Sequence, residues 1–475
     1  MRGLCRGLLM LSVSIAGCAG LPPKPTPVAL SAAAPLPDGP FSDGTRGGGA
    51  WPSGEWWKQY QDPTLDRLIE MALESSPSLA AAHARFESAR QSVRIASAAS
   101  GAHLQANGDT SRQRLSNNGL FPPQLLGFYW YNLSDLGLQA SYTFDWWGKQ
   151  RDTVEAAMDE AHASQAERSA AALMLTSSVA DTYFGWQADQ SRLALAHERE
   201  TTVQREAAIT AARIGAELDP KDDLDRAATA LAALREQIAV LDGSATLRVV
   251  ALAALAGRSA AELPPLSARP LPTAGGALPD DVRIDLISRR ADITASRWRV
   301  EAAEKSRESA RAEFYPDVSI NALIGVQSIS VSTLLQYGSR VPAVAAAVHL
   351  PLFDAGLLKA RYGATQAAVN SAVASYQETV VDAARDVATQ ASTLAQIAAQ
   401  RTQRAIELDA ALRLKASAAA RVRQGLTDSR MELTATESWI EQRDALLQLD
   451  AAAVSADIGL KRALGGGYER TKSTP

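Results

Sequence analysis

The sequence is internally duplicated, because one order of predicted strands and helices occurs twice within 475 residues. Each half reads as a helix, two strands, a long helix, a short break and a second helix. Gly148 and Gly356 end the second strand of each half and lie 208 residues apart. Gly257 and Gly465 end the two halves with the same spacing. We therefore predict two structural repeats with one architecture.

The strand predictions rest on an alternation of apolar and polar residues, which is typical of a strand with one face of each kind. The alternation is clearest in LGLQASYTFD (136–145), and an offset of 208 places a second apolar series in the other half. The two series are Leu136, Leu138, Ala140, Tyr142 and Phe144, and Val344, Ala346, Val348, Leu350 and Leu352. Strands are predicted at 103–111, 136–146, 316–327 and 341–353.

Two alanine-rich segments, 149–214 and 357–422, are predicted to be single helices of roughly 100 Å each, at about 1.5 Å per residue. Gly215 and Gly425 mark the breaks that follow them, 210 residues apart, and shorter helices resume afterwards. A helix of this length needs partners along its side, so a coiled-coil-like tube or bundle is expected.

Strands of about ten residues with an apolar outer face have the length of transmembrane β-strands. A sheet in lipid must close into a barrel, because open edges leave backbone groups unsatisfied. Four strands per chain cannot close, two chains would give eight strands and a filled interior, and three chains would give twelve strands and a lumen. The predicted fold is mainly α with a trimeric twelve-stranded barrel that continues into a helical barrel. A soluble sandwich packed on helices is the alternative.

Aromatic clusters flank the strand at 136–146 and fit the interfacial girdles of membrane barrels. A position in the protein core would be the ordinary explanation for either cluster alone, whereas the two together favour girdles. The residues are Trp146, Trp147, Phe128, Tyr129, Trp130 and Tyr131.

The N-terminal segment has the pattern of a lipoprotein signal peptide, with two arginines, an apolar stretch and small residues before Cys18. The ending Ile15-Ala16-Gly17-Cys18 resembles a lipobox, which predicts lipidation of Cys18; an ordinary signal peptide with an incidental cysteine is the alternative. Ala19 at the next position suggests sorting to the outer membrane. The predicted divisions are a signal peptide (1–17), a tether (18–50), a first repeat (51–257), a connector (258–285), a second repeat (286–465) and a tail (466–475).

Charge and motifs argue against several functional classes. A net charge of −4 does not suit a nucleic-acid binder. The five histidines are scattered without a catalytic or metal-ligand spacing, so no enzyme and no metal or other cofactor is predicted beyond the lipid on Cys18. Downstream of the N-terminus no run of about 18 apolar residues stands out, so no membrane-spanning helix is expected.

Short motifs in a fixed order resemble the outer membrane factor family of tripartite efflux systems, the TolC-like channels, and their NodT-type lipoprotein branch. The motifs cover most of the mature chain, although Arg290-Ala291-Asp292 stands where the family usually has Arg-Pro-Asp and the first helix break looks long. They are WWKQYQDPTLDRLI (56–69), SYTFDWWGKQR (141–151), SVADTYF (178–184), LISRRADITASRWRVEAAEKSRESARAEFYPDVSI (286–320), LPLFDAG (350–356) and LKRALGGGY (460–468).

The resemblance implies a passive homotrimeric exit channel in the outer membrane, in contact with outer-membrane lipid, a periplasmic adaptor and an inner-membrane efflux transporter. It also places a gate at the two helix breaks, with candidates Asp219, Asp222, Asp223, Asp225, Asp428 and Glu432. Helix capping, by Asp222 or Asp219, is the alternative role for these acids. Candidate adaptor contacts are Arg213, Gly215, Arg423 and Gly425. Other readings are a channel for type I protein secretion or metal export, and a structural stalk lipoprotein.

Overall fold

The computed structural model describes residues 49–119, 121–274, 278–279 and 289–468. The signal peptide, Cys18, most of the tether and parts of the connector and tail lie outside the described residues. The chain divides into two compact units. Of the described residues, the first unit contains Glu87–Ala163 and Arg297–Ser375, and the second contains those at 49–86, 164–296 and 376–468.

The helices follow the duplicated order that the sequence predicts. The α-helices are α1 (Pro63–Ser75), α2 (Pro77–Ala99), the one-turn α3 (Pro123–Leu126), α4 (Lys149–Gly215), α5 (Asp222–Ala256), α6 (Ala291–Ala312), α7 (Leu357–Arg423) and α8 (Ser429–Ala463). Short 3-10 helices cover Trp56–Tyr60, Ala260–Glu262, Val331–Thr333 and Tyr337–Ser339. The two repeats match in length, because α4 and α7 have 67 residues each and α5 and α8 have 35 each.

Four strands form one antiparallel sheet in the order β1-β2-β3-β4. The strands are β1 (His103–Arg114), β2 (Trp130–Phe144), β3 (Asp317–Ser328) and β4 (Arg340–His349). The sequence placed all four but misjudged their ends. β2 begins six residues earlier than predicted, and β4 ends before Leu350 and Leu352, which therefore fall outside the strand. Alternation predicts the middle of a strand better than its ends, where turn geometry decides.

The strand register gives the sheet one apolar and one polar face, since directly paired residues of neighbouring strands point to the same side. Leu138 pairs with Ala106 and Ile324, and Ala140 pairs with Leu104 and Ala322. The odd-numbered residues of β2 share the other face. There Gln139 pairs with Gln105, and Gln105 Nε2 donates to Gln139 Oε1 at 3.2 Å.

The second unit has a core that combines the N-terminal segment with helices of both repeats. Leu65 of α1, Tyr183 of α4, Leu252 of α5 and Val454 of α8 are almost fully buried in one cluster. Asp62 caps α1 by accepting from the Thr64 and Leu65 amides, and Tyr183 donates its hydroxyl proton to Asp62 Oδ2 at 2.8 Å. The motif at 56–69 is therefore the segment that ties the start of the described chain to α4.

Helix α5 departs from the expectation that no run of about 18 apolar residues stands out downstream of the N-terminus. By length and composition alone, Asp222–Ala256 is long and apolar enough to cross a membrane. However, Arg248 donates to Asp189 of α4 at 2.6 Å, and Arg235 donates to Glu200 at 2.9 Å. The helix is thus one arm of a hairpin with α4.

Candidate functional site

The two turns that join the long and short helices have the same backbone structure. In the first, Glu217 has φ = 61°, and the Leu218 amide donates to the Arg213 carbonyl at 2.9 Å. In the second, Gly425 has φ = 69°, and the Leu426 amide donates to the Arg421 carbonyl at 2.9 Å. Both turns are Schellman motifs, which end helices with a left-handed residue.

This geometry corrects the pairing of Gly215 with Gly425. Gly215 is the last residue of α4, and the residue that corresponds to Gly425 is Glu217, 208 residues earlier. The spacing of 208 therefore holds for the long helices α4 and α7 and for the left-handed residue that follows each of them. A sequence search for glycine misses the position, because a glutamate occupies a conformation that usually selects glycine.

Replacing Glu217 with glycine is expected to stabilise the first turn by about 0.5–1 kcal/mol, because the strain of a left-handed glutamate exceeds the added freedom of the unfolded chain. Hydrogen exchange of the Leu218 amide should slow by roughly two- to fivefold. The matched control is Gly425→Ala, for which exchange of the Leu426 amide should accelerate. An unchanged or faster rate in Glu217→Gly would contradict the assignment.

Asp219 connects the two turns through a pair of arginines. Arg213, in the last turn of α4, donates from Nε and Nη2 to the two carboxylate oxygens at 2.8 and 2.9 Å. Arg430, in the first turn of α8, donates from Nη1 to Oδ2 at 2.9 Å. We call these three residues the tip latch. It ties residues 211 positions apart in one chain.

The electrostatics of the tip latch keep Asp219 ionised. The hydrogen bonds from Arg213, with the charges of Arg213 and Arg430, hold the pKa of the Asp219 carboxyl below its usual range. Its side chain is only 10% exposed, whereas those of Arg213 and Arg430 are about one-third exposed. Two positive charges thus hold one shielded carboxylate.

The other candidate acids do not join the tip latch. Asp223 pairs with Arg226 at 2.7 Å, and the side chains of Asp222 and Asp225 are exposed. Asp428 caps α8 by accepting from the Arg430 and Met431 amides at 3.1 and 3.4 Å.

The expectation that Asp222 or Asp219 caps a helix is wrong. Lys221 holds the N-cap position of α5 without a side-chain hydrogen bond, and Asp222 is the first helical residue. Asp219 instead uses its oxygens in the tip latch, because two arginines compete for them. Glu432 lies half-buried in the first turn of α8.

Of the adaptor-contact candidates, one side chain already binds another residue of the chain, and the other positions are open to solvent. Arg213 is committed to the tip latch, whereas Arg423 is exposed. A side chain at Gly215 or Gly425 would meet nothing within 4 Å, so the surface is open there.

Sequence reasoning missed the leucine that follows each left-handed residue: Leu218 is 64% exposed and Leu426 is 70% exposed. The two leucines are 208 residues apart, so the spacing of the repeat could have identified them as equivalent positions. A cavity of about 560 Å³ lies beside the turns, between α4, α5 and α8, and Arg430 lines it.

The aromatic candidates lie at the two ends of β2. Trp146 and Trp147 follow its C-terminal end and are 66% and 46% exposed, which argues against a core position. Trp147 stacks on Tyr315 at 4.5 Å and donates to the Pro316 carbonyl at 2.9 Å.

At the other end of β2, Tyr129 and Trp130 are more than half exposed, and Phe128 and Tyr131 are half-buried. Within the described ranges, no cluster of His, Cys, Asp or Glu is arranged to hold a metal ion.

Comparisons with known proteins agree with this architecture. Residues 68–258 and 283–466, one stretch in each half, match the family described as outer membrane efflux protein. The chain is 33% identical over 427 residues to the multidrug resistance outer membrane protein MdtP of Escherichia coli K12, covering 88% of this chain and 87% of MdtP. It is 31% identical over 480 residues to MdtQ of Escherichia coli O6:H1, covering 98% of both chains. The structure resembles the outer membrane protein VceC of Vibrio cholerae, with a TM-score of 0.77, 32% identity and coverage of 88% and 100%.

Proposed function

Because the chain belongs to the outer membrane efflux protein family and is an efflux exit channel of the outer membrane, we propose that three copies close a twelve-stranded barrel whose periplasmic entrance is gated by the tip latch. The family is one of transport proteins, and its architecture implies a trimer that works with efflux pump components. The exported compounds are proposed to be small organic molecules, because the relatives are named as multidrug resistance proteins. A periplasmic adaptor and an inner-membrane transporter are the proposed partners.

The observation that carries the barrel proposal is the two-faced sheet with two unpaired edges. Among the described residues, β1 and β4 each have one neighbouring strand. Leu136, Leu138, Ile324 and Val344 are 46–80% exposed on the apolar face. Lipid would cover that face, and strand pairing between copies would satisfy both edges. The polar face would then line the lumen.

Helix α5 supports assembly into an oligomer independently of the sheet. Val240, Leu247 and Val250 are 55–69% exposed and follow heptad-like spacing along one side of the helix. A neighbouring copy would bury this stripe, since exposed apolar surface of this kind is usually an interface.

Light scattering of the detergent-solubilised protein, with the detergent contribution subtracted, tests the assembly. A protein mass of three protomers supports the closed barrel. A monodisperse monomer that stays in solution without detergent would overturn the proposal and favour a stalk-like lipoprotein. Restored drug resistance in a strain lacking its own exit channel, with the cognate adaptor and transporter supplied, tests efflux itself.

We propose that Cys18 carries the lipid anchor. Cys18→Ser is expected to abolish acylation, because Cys18 is the cysteine that follows the lipobox-like residues Ile15-Ala16-Gly17. Metabolic labelling with palmitate should mark the wild type and Cys5→Ser but not Cys18→Ser. Trimers should still form in Cys18→Ser, since the barrel itself holds the protein in the membrane. Equal labelling of the wild type and Cys18→Ser would contradict lipidation of Cys18.

A further inference from the structure

The sheet carries a cluster of arginines at one end of its apolar face. The strands have a helix end, where α2, α4, α6 and α7 connect, and a loop end, where residues 115–129 and 329–339 connect. Arg112, Arg114 and Arg340 lie at the loop end, and the register places all three on the apolar face. Arg112 pairs with Asn132, Arg114 with Trp130, and Arg340 with Val326. We call them the rim arginines.

The rim arginines lie just beyond the apolar part of that face. From Phe144 to Leu136 the face is apolar along β2, a distance of about 27 Å at roughly 3.4 Å per residue. The next pair toward the loop end is polar, because Ser134 and Thr110 hydrogen bond to each other at 2.8 Å. Arg112 and Arg114 follow. In a membrane barrel, whose strands tilt by about 40°, that apolar stretch spans roughly 20 Å of a band about 25 Å tall, so the rim arginines lie at the boundary between hydrocarbon and headgroups.

Arg112 and Arg340 lie over aromatic rings, and none of the three rim arginines forms an ion pair with an acidic residue among the described residues. The guanidinium of Arg112 lies 5.7 Å from the Trp130 ring centre, and that of Arg340 lies 4.3 Å from the Tyr337 ring centre. All three arginine side chains are exposed. The helix end differs, because Lys149 there pairs with Glu313 at 3.6 Å. The three positive charges at the loop end therefore have no neutralising acid beside them among the described residues.

Closure of the barrel would bring rim arginines of two neighbouring copies together at each seam between subunits. Arg112 and Arg114 lie on the edge strand β1, and Arg340 lies on the opposite edge strand β4. When β4 of one copy pairs with β1 of the next, their loop ends meet on the same face. Each of the three seams would then carry three guanidinium groups at the height of the outer headgroups. This step rests on the closed barrel of the proposed function.

We propose that the rim arginines bind the phosphate groups of a glycolipid of the outer leaflet, lipopolysaccharide, at each subunit seam. Guanidinium groups bind phosphate through paired, charge-assisted hydrogen bonds. Exposed Trp130 and Tyr337 provide flat apolar surface beside the cations, as interfacial aromatics do. The polar face of the sheet carries no arginine or lysine in its strands, so the positive charge of the strands belongs to the lipid side alone.

The test compares lipid binding to the purified full-length protein in detergent by native mass spectrometry. The probes are lipid A with both phosphates and the same lipid A after phosphate removal. The test variant carries Arg112→Gln, Arg114→Gln and Arg340→Gln. The matched control carries Arg94→Gln, Arg385→Gln and Arg413→Gln, three exposed helix arginines outside the sheet.

The wild type and control should bind up to three phosphorylated lipids per trimer, and the test variant should bind them at least about tenfold more weakly. Removing the phosphates should weaken binding to the wild type by a similar factor. Equal binding by the test variant and wild type would overturn the proposal. Complete displacement of the lipid by millimolar inorganic phosphate would also overturn it, because the surface would then be an anion site without lipid selectivity.

The same spectra separate this inference from the proposed function. A monomeric mass for the wild type would reject the closed barrel. A trimeric mass and normal single-channel conductance for the test variant, with unchanged lipid binding, would reject only the lipid site.

Discussion

Leu138→Arg is expected to prevent stable insertion of the barrel, whereas Gln139→Arg at the adjacent position should be tolerated. Leu138 lies on the apolar face, paired with Ile324 and Ala106, and is 46% exposed in the single chain. An arginine near the middle of a lipid-facing barrel surface costs about 2–4 kcal/mol. Three copies of the substitution would add their effects within one trimer. We therefore expect a severe loss of trimer in outer-membrane fractions and a lower urea midpoint for barrels folded into vesicles.

Gln139→Arg is the matched control, because it adds the same side chain one residue away on the opposite face. Gln139 shares that face with Gln105 and Leu323. Its arginine would reach the proposed lumen, so trimers should form with nearly unchanged stability and a reduced preference for cations. Equal damage by both substitutions would contradict a lipid-facing and a lumen-facing side. Normal trimers with Leu138→Arg would point to a sheet that does not contact lipid.

Asp219→Asn is expected to raise the single-channel conductance several-fold, because it removes the charge that holds Arg213 and Arg430 together. The two turns would then lose their direct ionic connection and separate more easily. In cells that express the intact channel, the same change should increase entry of large antibiotics. Conductance in planar bilayers at fixed salt gives the direct measurement, since ion pairs at partly exposed sites weaken as salt increases.

Asp225→Asn provides the control, because Asp225 lies near the same turn and is exposed outside the tip latch. It removes the same charge and should leave conductance close to the wild type. Arg430→Gln should act like Asp219→Asn, and the double variant should add little, since both changes break one network. Identical conductance for Asp219→Asn, Asp225→Asn and the wild type would remove the tip latch from the gate.

The pH dependence follows from the lowered pKa of Asp219. A carboxyl with a lowered folded-state pKa contributes stability above its ordinary value, about 4, and loses it as the pH falls through the lowered pKa. Wild-type conductance should therefore stay low through mildly acidic pH and increase only below about pH 4. Asp219→Asn should show no such step.

The sequence by itself determined the repeat, the number of strands, the length of the long helices and the family. These features are local or periodic: alternation at a spacing of two and alanine-rich helical runs can be seen without knowing any contact. The 208-residue spacing between Gly148 and Gly356 indicates that the two halves share this order of strands and helices. Asp219 was also a candidate on sequence grounds, as an acid in a helix break.

Only the tertiary structure decided which partners the candidates have. Arg430 reaches Asp219 from 211 residues away, and no local pattern selects it over Lys221 or Arg226. Glu217 adopts a left-handed conformation that its residue type does not predict, because the hydrogen bonds of the turn impose it. The strand register likewise brought Arg112 and Arg340 onto one face from opposite edges of the sheet. Contacts between distant segments depend on how helices and strands pack together, and that information is spread over the whole chain.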